Sequence, residues 1–93
     1  MIYLKKGSQP EIIQKLSKDK DLEKVFRAVV KINGGPLLRI ASIVKMKPSE
    51  VKDKLEFLVE GGLLERSTAG SSAASDFSVD YYLTKLAYDV NLD

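Results

Sequence analysis

The chain has 93 residues, a formal net charge of +2, 44% apolar residues and 30% charged residues. This is the composition of one soluble globular domain with a modest core. It has neither cysteine nor histidine, which excludes disulfides, thiolate metal sites and the usual general base at neutral pH. No apolar run is long enough to span a membrane, and the apolar start, Met1-Ile2-Tyr3-Leu4, is too short for a signal peptide. We therefore predict a cytoplasmic protein.

The charge is distributed unevenly along the chain. Residues 1–47 hold eleven Lys and Arg against four Asp and Glu, whereas residues 48–93 hold four against nine. A positive half on a nearly neutral protein indicates one basic face. Lysine-rich helices that keep a small protein in solution would give the same count, so both interpretations stay open.

Two short elements are predicted before residue 21. Residues 1–6 alternate weakly and are expected to form an extended arm or an edge strand. The segment Ser8-Gln9-Pro10-Glu11 resembles a capping box and predicts a helix that ends near Lys18. Its inward residues are Ile12, Ile13 and Leu16. Either Asp19 or Asp21 is then placed to cap the next helix.

A longer helix is predicted from residue 21 to about Ile32, because apolar residues recur there at spacings of three and four. They are Leu22, Val25, Phe26, Val29 and Ile32. The segment Asn33-Gly34-Gly35 should end this helix. Pro36 suits the first position of a third helix, which runs to Lys45.

The stretch from Pro36 to Arg66 predicts a helix, a tight turn, a second helix, a glycine stop and a strand. The turn is Met46-Lys47, the second helix spans residues 48–60, and Gly61-Gly62 should provide a left-handed C-cap. The apolar residues fall on one face of each helix. They are Leu38, Ala41, Val44, Met46, Val51, Leu55, Leu58 and Leu63.

A β-hairpin is predicted after the glycines. Its strands are residues 63–68 and 78–84, and the small, polar segment 69–77 lies between them. Tyr81 and Tyr82 should face opposite sides, since neighbours alternate along a strand. Thr84 is expected to cap a last helix from Lys85 to about Asn91.

This order of residues resembles the winged helix-turn-helix domain of MarR- and ArsR-like regulators and of small archaeal regulators. The resemblance covers most of the chain, from about residue 21 to residue 88. The residues that carry it are Ala41, Val44, Met46, Val51, Leu55, Leu58, Gly62-Leu63-Leu64-Glu65-Arg66 and Tyr82-Leu83-Thr84-Lys85.

The resemblance implies an α+β, mainly helical fold with a three-helix core and a β-hairpin wing. An extra short N-terminal helix and a short C-terminal helix complete it. We expect a single winged-helix domain over residues 1–93. Its parts are an N-terminal arm and short helix (1–20), a helical core (21–62), a wing hairpin (63–84) and a C-terminal helix (85–93).

The resemblance also implies sequence-specific binding of double-stranded DNA by a small transcription regulator. Residues 48–60 would enter the major groove. Ser49, Lys52 and Asp53 would then approach base edges, and the cations placed for phosphate contact are Arg39, Lys45, Lys47 and Arg66.

Paired DNA half-sites favour a homodimer. The predicted last helix is too short for a coiled pairing, so a dimer would use the first helices and the Met1–Leu4 arm.

The alternative is a winged-helix module that binds another protein and has no strong affinity for DNA. Residues 48–60 carry two lysines against four carboxylates, and the segment 69–75 has no positive charge. Both features oppose phosphate attraction. Phe57 lies off the predicted core face. It either tucks against the wing strands or the N-terminal arm or is exposed at a protein interface, and Tyr3 poses the same choice.

No catalytic, metal or cofactor site is expected. The chain has no glycine-rich phosphate loop with its lysine and no G-x-S-x-G elbow. The serines at 71, 72 and 75 have no histidine to activate them. Paired carboxylates such as Asp19 and Asp21 are better explained as helix caps and solvated faces.

Overall fold

Helices supply most of the structure, and short antiparallel strands join them. The computed structural model describes residues 2–5, 10–67 and 79–92. Its helices are α1 (Glu11–Lys18), α2 (Lys20–Ile32), α3 (Leu37–Val44), α4 (Pro48–Glu60) and α5 (Lys85–Tyr88). Its strands are β1 (Tyr3–Leu4), β2 (Gly35–Pro36), β3 (Leu64–Ser67), β4 (Asp80–Leu83) and β5 (Val90–Asn91). This confirms the prediction of a mainly helical α+β fold.

A three-stranded antiparallel sheet has the order β2-β4-β3, so β4 lies in its middle. Leu64 pairs with Leu83 in the hairpin, and Gly35 pairs with Tyr81 on the other side of β4. The sequence did not predict β2. Pro36, which was expected inside the third helix, belongs to this strand and precedes α3 as its N-cap residue. Proline fits there because an edge strand can lack one N–H donor.

The core lies where α2, α3 and α4 pack together and against the sheet. One core prediction was wrong, since Leu38 is 55% exposed whereas Leu37 and Ile40 are fully buried. Ala41 and Val44 lie on the buried face of α3 as predicted. Leu37 and Ile40, four positions before them, lie on the same face of the helix. Leu38 is rotated by about 100° from Leu37 and therefore faces outward.

Several helix ends follow the predicted local chemistry. The Asp19 carboxylate accepts hydrogen bonds from the backbone N–H groups of Asp21 and Leu22, which caps α2. Thr84 caps α5 by accepting from the Ala87 N–H. Lys47 makes no side-chain cap for α4, and Pro48 occupies its first turn. The left-handed glycine after α4 is Gly62, with φ of 84°.

The C-terminus differs from the prediction. The last helix ends at Tyr88 instead of Asn91, and Val90–Asn91 forms a strand that pairs with Tyr3–Leu4. A helix of only a few residues is marginally stable by itself. The N-terminal arm offers unpaired N–H and C=O groups, and residues 90–91 gain backbone hydrogen bonds by pairing with them. The arm is thus an edge strand within the same chain.

The predicted dimer surface is affected by this pairing. Ile2 and Leu4 are buried, and so are the three apolar residues of α1. Ile2, Leu4 and the apolar side chains of α1 are therefore used inside the chain, whereas Tyr3 of the arm stays exposed. A homodimer stays a prediction, and Tyr3 is the apolar side chain that the described part of the arm leaves for it.

Parts of several predictions lie outside the described residues: residues 1 and 6 of the arm, the Ser8-Gln9 half of the capping box, residues 68–78 with the segment 69–77 and the adjoining strand ends, and residue 93. Among the helices that the structure describes, none has both the length and the apolar character needed to cross a bilayer.

Candidate nucleic-acid interface

The helix α4 has one buried side and a wide exposed side. Val51, Leu55 and Leu58 are fully buried against the core. Helical geometry then directs Ser49 and Asp53 outward, and the structure leaves both side chains exposed. The surfaces on the two flanks of this exposed arc differ in charge.

On the flank toward the sheet, Glu56 connects α4 to both strands of the hairpin. Its Oε2 atom accepts a hydrogen bond of 2.6 Å from the Tyr81 hydroxyl, and its other oxygen pairs with Arg66. Partial burial acts to raise the pKa of Glu56, but the hydrogen bonds from Tyr81 and Arg66 outweigh it. The net pKa lies below the ordinary 4.5, and the charge of Lys52 contributes to this lowering.

This contact changes the expected role of Arg66. The sequence predicts a phosphate contact, whereas the structure places its guanidinium in an ion pair with Glu56. A phosphate would have to compete with that carboxylate. Lys52 lies on the same flank, since its charge acts on Glu56, yet it forms no ion pair within the described residues.

The turn between α3 and α4 presents two lysines on either side of an anchored methionine. Lys45 adopts a left-handed conformation with φ of 59°, and its side chain is exposed, as is that of Lys47. Met46 packs against the core between them. In the part of the chain that the structure describes, neither lysine has a carboxylate partner. Lys45, Lys47 and Lys52 are called the basic edge below.

Arg39 does not join the basic edge directly. Its side chain is exposed on α3, but it precedes Lys45 by six positions, which corresponds to about 9 Å along a helix axis. The predicted DNA-contacting cations therefore divide into three groups: the basic edge, the more distant Arg39, and the paired Arg66.

On the opposite flank, α4 forms one wall of an open groove of about 510 Å³ against α1 and the start of α2. Asp53 lies on this wall, whereas Lys52 lies on the flank toward the sheet. The two neighbouring residues therefore belong to different surfaces. The residues that line the groove are Lys15, Asp19, Asp21, Leu22, Glu50, Asp53, Lys54 and Phe57. Sequence analysis missed this groove because no local pattern shows that α1 lies beside α4.

An ion pair joins the two walls of this groove. The Lys54 Nζ atom donates to Asp19 Oδ2 at 2.7 Å, while the other oxygen of Asp19 caps α2. The hydrogen bond from Lys54 is the main reason that the pKa of Asp19 lies below its ordinary 3.8. The capping role was predicted from sequence, whereas the partner 35 residues away was not.

We expect Asp19→Ala to destabilise the protein by about 1–2 kcal/mol, because it removes the cap of α2. Urea unfolding at neutral pH measures this. Lys54→Ala is the matched variant, since it removes the ion pair and keeps the cap, and its loss should be below about 1 kcal/mol. Equal losses in the two variants would contradict the assignment of the stability to the cap.

The same carboxylate predicts a pH dependence. A folded-state pKa below the unfolded value means that the stabilisation is present above the unfolded pKa and is lost as the pH falls through the folded pKa. Unfolding midpoints measured from pH 6 down to pH 2 should therefore decline less in Asp19→Ala than in the unaltered protein. Parallel curves would contradict this expectation.

The two aromatic residues predicted for a protein interface have different surroundings. Phe57 is 39% exposed and lies beside α1, near Glu11 and Ile12, and not on the hairpin flank of α4. Tyr3 is similarly exposed, but its hydroxyl accepts a hydrogen bond of 2.8 Å from the Asn91 side chain. Phe57 thus lies at a groove, whereas Tyr3 covers the β1–β5 pair.

Comparisons with protein-family models, with curated proteins and with solved structures found no match. Among the residues described here, no group of three or more acidic side chains is arranged to hold a metal ion.

Proposed function

We propose that this chain is a winged helix-turn-helix protein that binds double-stranded DNA as a small cytoplasmic transcription regulator. The order of elements supports this proposal. Three helices follow one another as α2, α3 and α4, a strand precedes α3, and a hairpin follows α4. A short turn between two packed helices, with the second exposed, is the arrangement that helix-turn-helix proteins use to enter the major groove.

The observation that carries the proposal is the unpaired basic edge at the exposed start of α4. Lys45 and Lys47 would contact phosphates on either side of the major groove, and the helix dipole adds a partial positive charge at the start of α4. Ser49 and Lys52 follow on the first two turns of α4 and would approach base edges. The carboxylates of α4 lie mainly on the opposite flank, which reduces their repulsion of DNA.

The test is the triple variant Lys45→Ala, Lys47→Ala, Lys52→Ala, measured by fluorescence anisotropy with a random duplex from 50 to 200 mM salt. Each phosphate contact contributes about 0.9 to the slope of log affinity against log salt, so the slope should fall by up to about 2.7. If all three contacts are lost, affinity near 0.1 M salt should drop by roughly five-hundredfold, since each phosphate contact contributes about a factor of eight at that salt concentration.

The matched control removes the same charge from another surface: Lys18→Ala, Lys24→Ala, Lys31→Ala. These lysines are exposed on α1 and α2, and their loss should change the slope far less than the loss of the basic edge. Equal effects of the two triple variants would show a non-specific charge effect and contradict the proposed interface. Absence of any duplex binding would favour the alternative interaction module.

A homodimer would let two copies of α4 read paired half-sites. Sedimentation with and without duplex tests this part of the proposal. A monomer at micromolar concentration that also binds duplex as a single copy would contradict it.

A further inference from the structure

The groove beside α4 continues past Phe57 along the same helix. A second depression of about 200 Å³ adjoins it, and its lining is Glu11, Ile12, Phe57, Glu60 and Gly61. Phe57 borders both depressions, which therefore lie next to each other between α4 and α1. The two depressions together, with Asp21 and Glu50 in one lining and Glu11 and Glu60 in the other, are called the acidic groove below.

Carboxylates dominate the acidic groove. Six of its lining residues are acidic and two are lysines, and one of these lysines, Lys54, is already paired with Asp19. Glu50, Asp53 and Glu60 form no ion pair with any other described residue. Such a surface repels nucleic acid and attracts a positively charged partner. The occupant that complements it is therefore a basic polypeptide.

Phe57 supplies the apolar contact in the middle of these charges. It is 39% exposed, although the other residues on the exposed arc of α4 are polar or charged. Aromatic side chains are enriched near the centres of protein interfaces, where charged residues surround them. The position of Phe57 between the two acidic ends matches that pattern.

We propose that the acidic groove docks a basic segment of a partner protein, with one apolar side chain of that segment seated on Phe57. Glu50 and Glu60 are ten residues apart, which corresponds to about 15 Å along α4. An extended segment of about five residues spans this length. Its Lys or Arg residues at both ends would face the carboxylates, and its central apolar residue would cover the exposed ring.

Segments of this chain outside the described residues do not fit the groove. Residues 68–78 contain neither Lys nor Arg, and residues 6–9 contain one Lys and no apolar side chain. The segment Lys45-Met46-Lys47 has the charge pattern, but its methionine packs against the core of its own chain. It therefore cannot supply the apolar anchor to a second copy. We take a different protein as the occupant, and sedimentation tests the second copy.

The test uses three labelled peptides, KRLKR, KRGKR and EELEE, titrated into the isotope-labelled full chain. We expect KRLKR to bind in the micromolar to submillimolar range, KRGKR about tenfold more weakly, and EELEE not at all. Amide shifts should concentrate on α1 and on residues 50–61. Shifts centred elsewhere, or equal affinities for KRLKR and KRGKR, would overturn the proposal, as would no binding of KRLKR at millimolar concentration.

Two variants assign the contacts. Phe57→Ala should reduce KRLKR binding to the level of KRGKR, and Glu50→Lys with Glu60→Lys should weaken both basic peptides. The matched control is Leu38→Ala, which removes an exposed apolar side chain from α3 and should leave peptide binding unchanged. Circular dichroism checks that each variant is folded. Unchanged KRLKR binding by folded Phe57→Ala would overturn the proposal.

Two further measurements distinguish peptide docking in the acidic groove from DNA binding and from self-association. Phe57→Ala should keep its affinity for duplex DNA, because Phe57 is not part of the basic edge. If the unaltered protein fails to bind DNA, the proposed function is wrong, whereas the peptide titration still decides the proposal for the acidic groove. Sedimentation that shows a dimer abolished by Phe57→Ala would assign the acidic groove to a second copy and overturn the proposed partner.

Discussion

Tyr81→Ala is expected to destabilise the protein by about 3–5 kcal/mol, the range for removing a large buried aromatic side chain. Tyr81 lies on β4, the middle strand of the sheet, and is fully buried. Its ring fills the space between the sheet and the helices, so truncation leaves a cavity. Truncation also removes the hydroxyl that donates to Glu56 at 2.6 Å, which leaves a partly buried carboxylate with fewer partners.

Urea unfolding followed by circular dichroism measures this loss, and two neighbouring changes resolve its causes. Tyr81→Phe keeps the ring and should cost about 1–2 kcal/mol, because only the hydrogen bond is lost. Tyr82→Ala removes the next side chain along the strand, which is 42% exposed, and should cost no more than about 1 kcal/mol. A larger loss in Tyr82→Ala than in Tyr81→Ala would contradict the orientation of β4.

Gly34→Ala is expected to destabilise the protein by about 2–5 kcal/mol when backbone strain and overpacking are combined. Gly34 has φ of 90°, a conformation that an L-residue with a side chain rarely adopts. An added Cβ would also lie 2.6 Å from Tyr82 Cδ1 and 2.9 Å from the Tyr81 carbonyl oxygen. The carbonyl belongs to the backbone of β4 and can move only if the sheet moves.

Gly62→Ala is the matched control for this prediction. Its φ of 84° is close to that of Gly34, but the nearest atom to an added Cβ is Leu86 Cδ2 at 3.8 Å. This variant should therefore show the conformational cost alone, about 1–2 kcal/mol. Thermal and urea unfolding of both variants measure the difference. Equal losses would show that the close approach to β4 contributes nothing.

Both predictions concern the strand that supports the exposed helix. The Tyr81 hydroxyl donates a hydrogen bond to Glu56, and Glu56 forms an ion pair with Arg66. Glu56 also lies near Lys52 of the basic edge. Gly34 allows α2 to end directly against β4. If the DNA-binding proposal is correct, folded variants with a displaced β4 should bind duplex more weakly than their remaining charge predicts.

Local chemistry alone predicted much of the helical framework. The apolar spacing from Leu22 to Val29 marks the buried face of α2, and Asp19 and Asn33 mark its ends. The turn at Met46-Lys47 and the start of α4 at Pro48 follow from sequence in the same way, although α3 ends at Val44, one residue before the predicted Lys45. These features depend on residues within about four positions of each other, where side-chain direction and capping act.

Apart from the misplaced Leu38, which is a local error of helix face, the errors in secondary structure occur where distant segments meet. Pro36 belongs to a strand because β4 lies beside it, and the chain after Tyr88 becomes a strand because β1 offers an unpaired edge. No residue pattern within either segment predicts which strand will lie beside it. For segments this short, backbone hydrogen bonds to a partner outweigh local helix propensity, which is only a weak preference.

The candidate surfaces divide in the same way. Sequence alone predicted that α4 is amphipathic, that Lys45 and Lys47 flank its start, and that Phe57 lies off its buried face. The pairing of Arg66 with Glu56, and the position of α1 as the second wall of the acidic groove, became visible only in the folded chain. The reason is that electrostatic partners are chosen by distance in space, and distance in space is set by packing.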